Sequence, residues 1–189
     1  MKRLFFLGAL LLPFCIGCEK VQEAIDNISQ EVEVTTNFVI NMDIAAPSQG
    51  DPNASSEISQ FGGFDIISSP EVADRIGTPE QIKKVVIHSA TYEYYNFSGN
   101  VDAIADGRFI SYDANDDAVI FPTGPVNVAE ADLFNTIYNA SGDFAAISQN
   151  ATQNKVILFS YAGTCSGNPA LFTIQVIINA TITVELDTQ

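Results

Sequence analysis

The sequence predicts a mainly β protein, an antiparallel β-sandwich of immunoglobulin-like or jelly-roll-like type with two to four short helices in its connections. Three observations carry this expectation. Two long segments, from Glu31 to Ala45 and from Phe172 to Leu186, alternate apolar and polar residues with a period of two. A strand with one wet face suits an antiparallel sheet, because parallel sheets are covered on both faces. Further short alternating runs are separated by turn formers, with no regular strand–helix–strand rhythm and no internal repeat.

In the first long segment Val32, Val34, Phe38, Ile40, Met42 and Ile44 share one face; in the last, Phe172, Ile174, Val176, Ile178, Ala180, Ile182, Val184 and Leu186 do. These two strands are expected to be neighbours, with the last one central. Ile58 to Ile67 is a strand in which Gly62-Gly63 predicts a bulge or bend. Ser69-Pro70-Glu71 starts a short helix with proline at its first position, which Gly77 can end in the left-handed conformation. Thr78-Pro79-Glu80-Gln81 has the spacing of a capping box. Val85 to Tyr95 is a strand with neither face cleanly polar, so its register is open.

Asp106-Gly107 predicts a tight hairpin turn between Asn100–Ala105 and Arg108–Tyr112. Ala118 to Phe121 is a short strand broken by Pro122 to Pro125. Val128 to Tyr138 reads as a helix with Leu133, Phe134 and Ile137 on one face, and Asp143 to Gln149 as a further turn or two. Lys155 to Tyr161 is a buried strand, and Gly163 to Pro169 a loop.

The 189 residues carry 23 acidic and 8 basic side chains, a formal charge of −15. Such a chain will not track a phosphate backbone, since that binding depends on clustered Lys and Arg. Nucleic acid is therefore excluded as a partner, and anionic lipid headgroups repel the chain as well.

At the front, Lys2 and Arg3 precede an apolar run from Leu4 to Phe14, and Gly17 stands before Cys18. That is the layout of a secretory signal, too short to span a bilayer as a helix. The ending Cys15-Ile16-Gly17-Cys18 resembles the lipobox of bacterial lipoproteins. The resemblance implies cleavage before Cys18 and acylation of that residue, hence a membrane partner reached through lipid on Cys18. It also implies a bacterial cell-envelope location, in diderm bacteria usually the outer membrane, with which Glu19 is compatible. The organisation expected is then signal peptide 1–17, lipid anchor and tether 18–30, and a single sandwich domain 31–189. In the tether Val21, Ala24, Ile25 and Ile28 fall at helical spacing. Cys15 leaves with the peptide and Cys18 carries lipid, so Cys165 has no intramolecular disulfide partner.

Three constellations are candidates for chemistry. Gly163-Thr-Cys165-Ser-Gly167 has the spacing of a nucleophile elbow, which requires a strand before it, a helix after it and a base; His88 is the sole histidine. The bland alternative is a hairpin loop with a small, half-buried cysteine. Asp113, Asn115, Asp116 and Asp117 offer hard oxygen ligands for calcium, although Ala118 and Gly124 stand where the calcium-loop pattern wants Gly and Glu. Tyr92, Tyr94 and Tyr95, with Phe97, form an aromatic stripe that suits either a ligand platform or an ordinary strand.

Without a catalytic set, the expectation is a non-enzymatic binding or structural module that needs no cofactor, held to the cell envelope by lipid. The alternatives are a carrier of an apolar or glycan ligand, a calcium-dependent adhesin, and a hydrolase using Cys165.

Overall fold

The computed structural model describes residues 30–48, 50–51 and 54–186. The expected signal peptide, Cys18 and tether residues 19–29 lie outside them, and Gln30, expected in the tether, opens the first strand. Among the described residues eight strands are formed: β1 (Gln30–Ala46), β2 (Ser56–Asp65), β3 (Ile82–Gly99), β4 (Ile104–Tyr112), β5 (Ala118–Asn127), β6 (Ile137–Asn139), β7 (Val156–Ser166) and β8 (Ala170–Leu186). Helices α1 (Pro70–Ala73), α2 (Val128–Leu133) and α3 (Phe144–Asn154) lie in the connections.

The strands make two antiparallel four-stranded sheets, ordered β1-β8-β3-β6 and β2-β7-β4-β5. The pairings are nested: β1 with β8, β2 with β7, β3 with β6 and β4 with β5. A chain doubled back on itself and rolled into two facing sheets is a jelly roll, which settles the choice between the two sandwich types. Phe38, Met42, Phe109, Phe121 and Phe159 are fully buried between the sheets, and the ring of Tyr92 in one sheet meets Phe109 in the other at 5.0 Å.

The period-two reading of β1 and β8 holds throughout. Their inward residues are buried, and their outward ones pair across the ladder: Thr35 with Thr181 at 3.0 Å, Asn179 donating to Asn37 at 2.9 Å, Gln175 to Asn41 at 3.0 Å and Thr173 to Asp43 at 2.7 Å. In β3 the pairing with β8 slips between Ile87 and Ser89. Val85 and Ile87 point inward before the slip, and Ala90, Tyr92 and Tyr94 after it. One unpaired residue reverses which parity is buried, so no single alternation was visible there.

Several local expectations are corrected. Asp106-Gly107 is not a turn but the interior of β4; the β4–β5 turn is the acidic Asp113–Asp117 segment. Pro122 and Pro125 do not end β5. They are carried by it because β5 is an edge strand, where a missing N–H need not break a ladder. Gly62-Gly63 makes no register shift in β2. A Cβ on Gly62 would come within 2.5 Å of the Ile40 side chain, so glycine there serves the approach of β1.

Gly77 does not cap α1, which ends at Asp74 in right-handed conformation. The capping box is present on a single turn at Pro79–Gln81, with Gln81 Oε1 accepting from Thr78 N at 2.9 Å. The helix read from Val128 to Tyr138 stops at Leu133, and Ile137 enters β6. Gly163 to Ser166 belongs to β7 and is not a loop.

Helix α3 runs longer than expected and takes the place of a neighbouring strand. β6 pairs only with Thr91–Glu93, which leaves the first half of β3 as a sheet edge. Ser148 Oγ accepts from Ile87 N at 2.9 Å and Thr152 Oγ1 from Val85 N at 2.8 Å. Two helix hydroxyls thereby satisfy strand donors that would otherwise be buried unpaired.

Candidate functional site

The aromatic stripe belongs mostly to the core. Tyr92 and Tyr94 are 3 % and 0 % exposed, and only Tyr95 lies on the outer face. Tyr92 stacks on Tyr138 at 5.2 Å and donates to Thr123 O at 3.3 Å. Burial pushes its phenol up to about 12. The hydroxyls of Tyr94 and Tyr161 are buried with no hydrogen-bond partner. Desolvation raises both groups, Tyr94 well above the ordinary tyrosine range.

Cys165 lies inside β7, paired with Ser56 on one side and Ala105 on the other. Its side chain is fully buried, and burial pushes its thiol up. The structure forms no strand–turn–helix elbow around it, since a short turn leads from β7 into β8. His88 is exposed on the outer face of the other sheet, its Nε2 2.8 Å from Thr181 Oγ1.

In the acidic turn, Asp113 Oδ1 accepts from Asn115 N at 2.7 Å and from Asp117 N at 2.9 Å. These bonds, that from Asp117 first, hold the Asp113 carboxyl below the usual carboxylate range. Asp116 closes the turn in the left-handed conformation (φ 65°). The Asp113 carboxylate is thus engaged in shaping the turn. No group of three His, Cys, Asp or Glu side chains placed to hold a metal occurs among the described residues.

One concavity was not among the sequence candidates. On the outer face of the β2-β7-β4-β5 sheet lies a groove of about 840 Å³. Register places its side chains in rows across the strands. One row runs Glu57, Thr164, Asp106 and Pro125, and the next Ser59, Ala162, Arg108 and Pro122. Beyond them come Phe61, Ser160, Ile110 and Ile120, with Phe61 and Ile120 largely exposed.

The backbones of Gly107 and Gly163 line part of the groove. Gly107 and Gly163 are register partners in adjacent strands, and a Cβ on Gly163 would strike the Asp106 carbonyl. The two strands approach closely there, and their backbones form part of the floor. The β4–β5 pairing also shifts between Gly107 and Arg108, which bends the edge strand. Arg108 is exposed and forms no hydrogen bond or ion pair with any described residue.

A second hollow, of about 570 Å³, lies between β3 and α3 and is mainly apolar around Val86, Ala145 and Thr152. Leu133, Phe134 and Ile137 form an exposed apolar corner, 72, 71 and 64 % exposed. No described helix is long and apolar enough to cross a membrane.

Comparison with known proteins assigns no family: no family model matches the sequence, and no curated protein matches it at a significant level.

The groove escaped sequence reading because its residues come from four strands separated by more than a hundred positions. One signal was present. Gly107 and Gly163 each interrupt a strand pattern, and glycine inside a strand marks a close approach of backbone.

Proposed function

We propose that this protein is a lipid-anchored binding module of the bacterial cell envelope, which holds its ligand on the outer face of the β2-β7-β4-β5 sheet. The observation that carries the reading is the groove floored by Gly107 and Gly163 on a sandwich whose interior is filled by Phe38, Phe109, Phe159 and the buried tyrosines. That contrast favours a surface ligand over an apolar molecule carried between the sheets.

The anchor rests on the resemblance of Cys15-Ile16-Gly17-Cys18 to the lipobox. Gln30 and Leu186 stand at one end of the first sheet, Ala46 and Ala170 at the other, about 55 Å apart at the usual rise per strand residue. Ser56 donates to Pro47 O at 3.0 Å, so the Glu57–Ser59 side of the groove lies near the end away from Gln30. A chain held through Cys18 would present the groove outward.

Two measurements test this reading. In detergent phase separation the wild-type protein is expected in the detergent phase and Cys18→Ala in the aqueous phase; wild type remaining aqueous overturns the anchor. The Cys18→Ala protein is expected to co-sediment with delipidated bacterial envelope material, and Ala162→Tyr on that background, which fills the groove, is expected to abolish sedimentation. Equal behaviour of the two variants overturns the groove as the binding face.

A further inference from the structure

We infer that the groove takes an uncharged, hydroxyl-rich oligosaccharide segment. This rests on the groove being the binding face, and it follows from the mixture of groups that register brings there. Arg108 offers guanidinium donors only, and Glu57 and Asp106 offer carboxylate acceptors only, with the Ser59 and Thr164 hydroxyls able to do both. A ligand that meets all of them must donate and accept at close spacing. Sugar hydroxyls do so, and hydrogen bonds to charged partners are about twice as strong as neutral ones.

Charge narrows the class. A polyanion would face Glu57, Asp106 and a chain of net charge −15, and a polycation would meet Arg108 in the middle row. The unpaired state of Arg108 is informative in so acidic a protein. Its row neighbours are Ala162 and Pro122, neither able to neutralise it, and it forms no ion pair with a described residue. Its donors are without a partner among the described residues, and a ligand's acceptors can take them.

Shape agrees. With strands about 4.8 Å apart, the groove spans about 14 Å from β2 to β5, room for several sugar rings. Ala162 places only a methyl on the floor, beside the Gly107 and Gly163 backbones. Pro122 and Ile120 supply a flat apolar margin on which the C–H face of a ring can rest.

The test is affinity electrophoresis of the Cys18→Ala protein in gels containing soluble neutral polysaccharides (glucan, mannan and xylan), with a polyuronate and a basic polypeptide as controls. At least one neutral polymer is expected to retard the protein, with its own short fragments competing. On this background Arg108→Ala and Asp106→Asn, both exposed, are each expected to weaken retardation about tenfold while keeping the parent melting temperature. Retardation by the polyuronate or polypeptide alone, by none of the polymers, or equally in the variants overturns the inference. If Ala162→Tyr still abolishes sedimentation with envelope material in that case, the sugar assignment fails alone and the groove stands as the binding face.

Discussion

Gly107 of β4 sits directly against Tyr161 of β7: a Cβ added to Gly107 would lie 2.6 Å from the Tyr161 hydroxyl oxygen. The glycine thus serves two surfaces at once. Outward it is part of the groove floor, and inward it leaves the space that the phenol fills.

Gly107→Ala is therefore expected to destabilise the fold. The added methyl must push Tyr161 or the β4 backbone aside in a packed core, which costs about 1–3 kcal/mol. Urea unfolding followed by far-ultraviolet circular dichroism measures it. An unchanged midpoint would mean that the ring moves away freely and that the floor is softer than described.

The buried phenols predict alkaline instability. Tyr92 is pushed up to about 12, and Tyr94 and Tyr161 are raised as well, whereas an unfolded tyrosine titrates near about 10. Between those values the unfolded chain binds fewer protons than the folded one. Stability is then complete below about pH 10 and lost as pH rises toward about 12. Absorbance of tyrosinate followed alongside unfolding is expected to show these three phenols ionising only as the fold is lost.

Removing the hydroxyls of α3 tests its role as a surrogate strand. Ser148→Ala leaves Ile87 N without its acceptor and Thr152→Ala does the same for Val85 N, each expected to cost about 1–3 kcal/mol. Hydrogen exchange should locate the loss at those two amides in particular. Protection unchanged at both would show that the helix covers the edge by packing alone.

Cys165 is expected to resist thiol reagents in the native protein. It is fully buried, and its thiol is pushed up by desolvation, so little thiolate forms and none is accessible. Labelling of the Cys18→Ala protein should be fast in denaturant and slow in buffer. Fast labelling in buffer would reopen a reactive role for this residue.

The sandwich was legible where one face stays wet over many residues. Val32 to Ile44 and Phe172 to Leu186 kept their alternation because each strand keeps its register to the end. It was less legible where geometry overrides the pattern. Gly107, Pro122 and Pro125 look like turn residues, yet an edge strand with a shifted ladder tolerates all three. Leu133, Phe134 and Ile137 imitate a helix face, but the chain leaves the helix at Leu133 and all three remain exposed. The groove was illegible for a different reason. Its rows exist only once β2, β7, β4 and β5 lie side by side, and no local spacing announces which residues will share a row.

The nested pairing also dictates when the molecule can become itself. β8 is the eighth strand in sequence and the one that joins β1 to β3, and its contacts bridge 142 positions, as between Asn37 and Asn179. Until it arrives, β1 has no ladder to join. Closing so large a loop comes late and slowly. A chain whose last segment has not yet appeared would accordingly lack its keystone, and would reach its final shape only once that segment had followed.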